Sequence, residues 1–175
     1  MNVFLIGYRG SGKTTVAEAL AKLLRWPWRD ADAELERRAG KTIKEIFAAS
    51  GEKAFRDLES AVLCDLAALD RHVIALGGGV VLREQNRVLL RQRGKVVWLT
   101  AAPETLFSRI SADATTAARR PDLTAHGGLD EIRSLLAQRT PLYSASADLT
   151  VNADRLNPDE IAGKIVAALA LKDSA

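Results

Sequence analysis

The sequence predicts an α/β fold: a three-layer sandwich with a five-stranded parallel sheet and helices on both faces. Two observations carry that expectation. Short apolar runs alternate with longer segments of helical periodicity, and several of the runs end in Gly or Asp. The length, 175 residues, suits one compact domain, and no internal repeat or linker divides it.

The elements follow in order. Val3 to Ile6 is an apolar run ended by Gly7 and reads as a buried strand. From Lys13 to Leu24 the apolar residues Val16, Leu20, Leu23 and Leu24 recur at helical spacing. Trp26 to Asp30 reads as a second strand interrupted by Pro27, with Trp26 and Trp28 packing between the first helix and the sheet. Asp32 to Ala39 and Ile43 to Ser50 read as short helices split by Gly40. Gly51 precedes a longer helix carrying Phe55, Leu58, Val62 and Leu66. Val73 to Leu76 is a third strand, stopped by Gly77, Gly78 and Gly79. Arg83 to Gln92 reads as helix, and Val96 to Leu99 as a strand with Trp98 in the core. Pro103 opens a helix at a position where a missing N–H costs nothing. Residues 111–128, rich in Ala, Thr, Gly and Arg, lack apolar periodicity and read as a mobile loop. Asp130 to Leu142 is helical, Leu149 to Val151 is the fifth strand, and Pro158 to Leu171 is the closing helix.

Composition excludes several classes. The excess of 25 Lys+Arg over 22 Asp+Glu gives +3, spread along the chain, so the basic stripe of a nucleic-acid binder is missing. Arginine outweighs lysine, and its planar fork suits oxyanions. The single cysteine, Cys64, rules out an internal disulfide and is expected to be a small buried residue. One Cys with His72 and His126 assembles no metal cluster, and neither histidine has a partner that points to catalysis. No apolar stretch approaches the ~20 residues of a membrane span. The first strand begins at once, without a signal peptide, so the cytoplasm is the expected compartment.

Residues 7–14 read G-Y-R-G-S-G-K-T and match G-x-x-x-x-G-K-[ST], between a strand and a helix. Glycines let successive N–H groups turn inward on phosphate oxygens, and the helix N-terminus adds partial positive charge. Lys13 would neutralise the β- and γ-phosphates, and Thr14 would place a hydroxyl on Mg²⁺. Arg9 is not required by this geometry and is expected to face solvent.

Three further clusters bear on an acceptor. Asp30 and Asp32 form a D-x-D at the end of the second strand, where they could serve a metal or take a proton, or simply cap the next helix. Arg56 sits between Phe55 and Leu58 on a helix and reads either as a surface arginine or as an anion ligand. Glu59 lies one turn from it and could orient its guanidinium. Gly77, Gly78 and Gly79 make either a flexible turn or a backbone that a ligand approaches closely.

Taken together these motifs resemble the shikimate kinase family. The loop at 7–14, D-A-D at 30–32, T-I-K-E-I-F at 42–47, F-R at 55–56, G-G-G at 77–79, R-P at 120–121 and Q-R-T-P-L-Y at 138–143 occur in that family's order. The resemblance covers essentially the whole chain. It implies a P-loop kinase of residues 1–175 as a single domain, with an acceptor-binding segment at about 30–60 and a lid at about 111–128. It implies ATP and shikimate as substrates, Mg²⁺ as the ion, and a monomer without nucleic-acid or membrane partners. It implies that Gly10, Ser11, Gly12, Lys13, Thr14, Thr15, Arg109, Arg120 and Arg155 meet ATP. Asp32 would be the base that holds the acceptor hydroxyls, with Lys13 and Arg120 as its catalytic partners. Arg56 and Arg139 would clamp the carboxylate beside the backbone of Gly77, Gly78 and Gly79. Thr14 and, through water, Asp30 would serve the metal.

The chain departs from the family pattern at Asp122, which follows Pro121 where an apolar pair is usual, and Arg119 competes with Arg120 for the lid role. The usual acidic end of the third strand is replaced by Gly77. The rival readings are a gluconate or nucleoside-monophosphate kinase and a non-catalytic nucleotide-binding module.

Overall fold

The computed structural model describes residues 1–113 and 128–171. Five parallel strands, β1 (Asn2–Ile6), β2 (Trp28–Asp30), β3 (Val73–Ala75), β4 (Gly94–Thr100) and β5 (Leu149–Asn152), form one sheet in the order β2-β3-β1-β4-β5. The described helices are α1 (Lys13–Leu24), α2 (Ala31–Ala39), α3 (Ile43–Ala67), α4 (Glu84–Arg93), α5 (Pro103–Ala112), α6 (Gly128–Ser146) and α7 (Pro158–Leu169). A 3₁₀ turn, Val80–Leu82, follows β3. None of these helices is long and apolar enough to cross a membrane.

The alternation of side chains along each strand divides the core in two. Val3 and Leu5 of β1, Val73 and Ala75 of β3, and Val97 and Leu99 of β4 pack with Val16 and Leu20 of α1 and Ile161 and Ile165 of α7. Phe4 and Ile6, Ile74 and Val96 face the other way, onto Leu35, Val62, Leu63, Leu90 and Tyr143 from α2, α3, α4 and α6. Both faces of the central strands are therefore buried, which is why their sequences are apolar throughout rather than alternating. Trp26 and Trp28 pack partly buried against the α1 side, and Trp98 against the other, where its ring stacks on Tyr143 at 5.6 Å.

Several boundaries differ from the sequence reading. β2 starts only at Trp28, because Pro27 offers a carbonyl but no N–H. Its oxygen still accepts from Val73 N–H at 3.0 Å. Gly51 breaks α3 with φ 76° and ψ 176°, a conformation open in practice to glycine alone, so the expected division into two helical pieces holds. α6 runs through Pro141 to Ser146, beyond the expected end at Leu142, since Tyr143 is wholly buried and anchors the last turn. Ser111 and Ala112 complete α5, and Gly128 opens α6. Most of the expected lid, with Arg119, Arg120, Pro121, Asp122 and His126, lies outside the described residues. Cys64 is exposed, contrary to expectation. Its neighbours Val62, Leu63, Leu66 and Ala67 are buried, so the apolar surroundings belong to the opposite face of α3.

Candidate active site

The carboxyl edge of the sheet gathers the motif residues, as open parallel sheets do at the point where strand order reverses. The phosphate loop leaves β1, Asp30 ends β2, and Gly77–Gly79 follow β3. Register sets them side by side, since Ala75 pairs with Leu5 on one flank and Asp30 on the other.

A cavity of about 450 Å³ opens over the loop. Gly10, Gly12, Lys13, Thr14 and Thr15 line it on one side, Asp30, Asp32 and Gly78 on another, and Arg109 at the far end. Gly10 and Gly12 hold φ of 79° and 88°, the left-handed values that curl the loop. Gly12 is the N-cap of α1, and no side chain caps that terminus. Its first N–H groups therefore have no side-chain acceptor, an arrangement that suits an anion. The Lys13 ammonium donates to the carbonyls of Gly7 and Tyr8 at 2.9 and 2.8 Å and to Ser11 Oγ at 3.4 Å. Ser11 is buried beneath the loop. Thr14 Oγ1 donates to Asp30 Oδ2 at 2.8 Å, while Asp30 Oδ1 accepts from the N–H of Asp32 and Ala33. Asp30 thus caps α2 and faces the loop hydroxyl at once, so the two sequence readings are not exclusive. Arg109 spans the cavity end, donating to Gly10 O at 3.4 Å and Ala153 O at 2.8 Å. Arg155 is exposed and does not line this cavity.

A second, smaller pocket of about 40 Å³ adjoins the first and shares Arg9, Ile43 and Gly78 with it. Its walls include Tyr8, Phe47, Phe55, Arg56, Glu59, Gly79 and Arg139. Arg56 and Arg139, far apart in sequence, are both buried and line this one pocket. Arg56 donates to Glu59 Oε2 at 2.8 Å, and its guanidinium sits 5.0 Å from the Phe55 ring centroid. Arg139 donates to Gly78 O at 3.4 Å and lies 5.8 Å from the Tyr8 ring. Among the described residues no carboxylate stands within ion-pair distance of Arg139. Tyr143 donates to the same Gly78 carbonyl, and burial pushes its hydroxyl up to about 12.

The glycines are set by these neighbours. A Cβ on Gly79 would fall 2.2 Å from Arg56 Nη1, and one on Gly77 would fall 2.9 Å from both Asp32 Oδ1 and Glu59 Oε1. Asp32 and Glu59 therefore flank Gly77 from opposite motifs. Glu59 Oε1 is buried without a hydrogen-bond partner among the described atoms. Burial raises the Glu59 carboxyl above its ordinary 4.5, with Arg56 opposing.

Arg9 corrects the sequence reading: it does not face solvent. Its guanidinium pairs at 3.2 Å with Glu131, whose side chain is 0 % exposed. Sequence reasoning also passed over Tyr8, Phe47 and Glu131. Tyr8 sits at an unspecified position of the loop motif, and Glu131 looks like any acid in the first turn of a helix.

The family model described as "Shikimate kinase" matches residues 9–170. The chain belongs to the shikimate kinase family. The shikimate kinase of Rhodopirellula baltica is 47 % identical over 167 residues, which is 95 % of this chain and 89 % of that protein. That of Symbiobacterium thermophilum is 43 % identical, covering 97 % of this chain and 96 % of its own. Among solved structures, shikimate kinase from Acinetobacter baumannii in complex with shikimate aligns with a TM-score of 0.90 at 37 % identity, over 97 % of this chain and 92 % of that one. The five-stranded P-loop kinase fold expected from the sequence is the one observed.

Proposed function

We propose that this kinase transfers the γ-phosphoryl group of ATP to shikimate, giving shikimate 3-phosphate and ADP, and that the cleft residues divide the work as follows. The observation that carries this reading is the convergence of Arg56 and Arg139 on one pocket beside the phosphate loop. A carboxylate is held best by guanidinium groups, which fix orientation as well as charge. The small pocket takes that carboxylate, and the ring lies across the shared wall at Gly78, with its hydroxyls in the larger cavity. Asp32 lines that cavity and accepts the hydroxyl proton. Lys13 turns from the loop carbonyls to the β- and γ-phosphates, and Arg109 flanks the nucleotide base. Arg120 and Arg155 are proposed as further ATP contacts on the family resemblance.

Thr14 Oγ1 and Asp30 Oδ2 are an all-oxygen pair at the phosphate end, a donor set that fits Mg²⁺. Bound there with the nucleotide, Mg²⁺ would neutralise phosphate charge. Rate enhancement then comes from aligning the hydroxyl with the terminal phosphorus and from fixed positive charge around it.

The test is acceptor-dependent ADP release from purified protein across a panel of hydroxy acids. Shikimate should stimulate release far more than gluconate or a nucleoside monophosphate. Stimulation by another acceptor and none by millimolar shikimate would remove the substrate assignment. ADP release that no acceptor stimulates, beside normal ATP binding, would favour the non-catalytic module.

A further inference from the structure

We infer that Arg9 and Glu131 form a positioning pair that sets helix α6, and with it Arg139, at a fixed distance from the phosphate loop. The inference rests on the acceptor reading above and deepens it. Arg9 stands at the third position of the loop, bends away from solvent and lines both cavities. Its partner Glu131 belongs to the first turn of α6, 122 positions away in sequence. Such a pair is costly to bury and is not a source of stability by default. What it does supply is a register, because a fully buried carboxylate held by a part-buried guanidinium tolerates little displacement.

The surroundings show what is being registered. Tyr8, beside Arg9, packs against Leu106, Ile132 and Leu135, so the loop already touches α5 and the first half of α6. Two turns beyond Glu131, Arg139 enters the acceptor pocket over the Tyr8 ring. The far end of α6 is tied to Gly78 through Tyr143. Arg139 is thus carried between a charged contact to the loop and a hydrogen bond to the β3 turn. Both anchors bear on the walls of the cleft. If the helix slides by a fraction of a turn, the carboxylate it grips moves with it, and the hydroxyl leaves the line of the γ-phosphorus.

Arg9 and Glu131 are therefore positioning residues, and they should act more on the acceptor than on the nucleotide. Glu131→Gln and Arg9→Met should each raise KM for shikimate about tenfold, the size of effect that displaced positioning groups produce. Glu131 lines neither cavity, so Glu131→Gln should change KM for ATP less than about twofold, whereas Arg9 borders both, so Arg9→Met should move the ATP value too, though less than the shikimate value. The double variant should lose less than the sum of the two single losses, because one contact is common to both. Arg9→Lys, which keeps the charge, should recover part of the loss. Melting temperatures run alongside separate positioning from folding: an apolar replacement of both partners, Arg9→Met with Glu131→Leu, should restore stability without restoring KM. Additive single effects, equal shifts in both KM values, or KM recovery that tracks melting temperature would each overturn the inference. Wild-type protein that fails to phosphorylate shikimate would instead overturn the acceptor reading beneath it.

Discussion

Arg56 reaches the cleft only because position 79 carries no side chain. Gly79 has φ −98° and ψ −2°, a negative-φ conformation that is open to alanine, so Gly79→Ala should fold. Its methyl would nevertheless occupy the space of the guanidinium, which must swing away. We expect Gly79→Ala to lose most of the ~2–4 kcal/mol of shikimate binding that a clamp arginine supplies, with ATP binding kept. Calorimetric titration of each ligand checks this, and unchanged shikimate affinity would place Arg56 outside the acceptor site. Arg56→Ala and Arg139→Ala should weaken shikimate binding alike but differ in stability. Arg56→Ala strands the buried Glu59 carboxylate, a change of about 3–5 kcal/mol, whereas Arg139 leaves no such partner behind. The pH dependence has a definite sign. Burial raises Glu59 above its ordinary 4.5, so the stability linked to its protonated form is present below 4.5 and lost as pH rises through the folded value. The Arg56→Ala penalty in urea melts should accordingly shrink as pH falls toward 4.5. A penalty that is flat with pH would mean that Glu59 is not the group left uncompensated.

At the scale of elements, α3 is two helical pieces joined at Gly51. The first, capped by Thr42 through a reciprocal contact with Glu45, brings Phe47 to the smaller pocket, and the second brings Phe55, Arg56 and Glu59. The kink lets the Phe47 and Phe55 rings meet at 4.6 Å. Gly51→Ala places a side chain at φ 76°, ψ 176° and should cost about 1–3 kcal/mol of stability. It should also raise KM for shikimate, because the two walls turn relative to one another. Urea unfolding beside steady-state kinetics tests both, and wild-type stability would show that the kink carries no strain. These elements were legible because glycines and apolar spacing mark local backbone states. The phosphate loop, Asp30 and the triple glycine were legible for the same reason, each lying at the end of a strand, whereas the pairing of Arg56 with Arg139 came only from the family resemblance. Arg9 and Glu131 were not. A part-buried ion pair formed across 122 positions leaves no periodic trace, and each partner alone resembles a surface charge. Cys64 misled in the opposite direction, because its apolar sequence neighbours turn inward while it turns outward.

Over the whole molecule, the cleft is built from parts that are far apart in the chain. The phosphate loop follows β1, Gly77–Gly79 follow β3, Arg56 comes from α3 and Arg139 from α6. An acceptor that touches all of them bridges both ends of the fold, and its binding energy becomes folding energy. Shikimate alone at about a hundred times its Kd should therefore add ~2.7 kcal/mol to unfolding, readable as a raised melting temperature. The smaller pocket and the larger cavity share Arg9, Ile43 and Gly78, so an acceptor in one and ATP in the other, as proposed, should also sense each other. Whatever factor ATP contributes to shikimate affinity, shikimate must return to ATP, since the coupling free energy belongs to the pair. Melts with each ligand, then both, measure it in one series. Stabilisation by shikimate only when nucleotide is present would show that the acceptor pocket is assembled by ATP binding. Stabilisation by shikimate alone would show that the two guanidinium groups already stand where the carboxylate needs them.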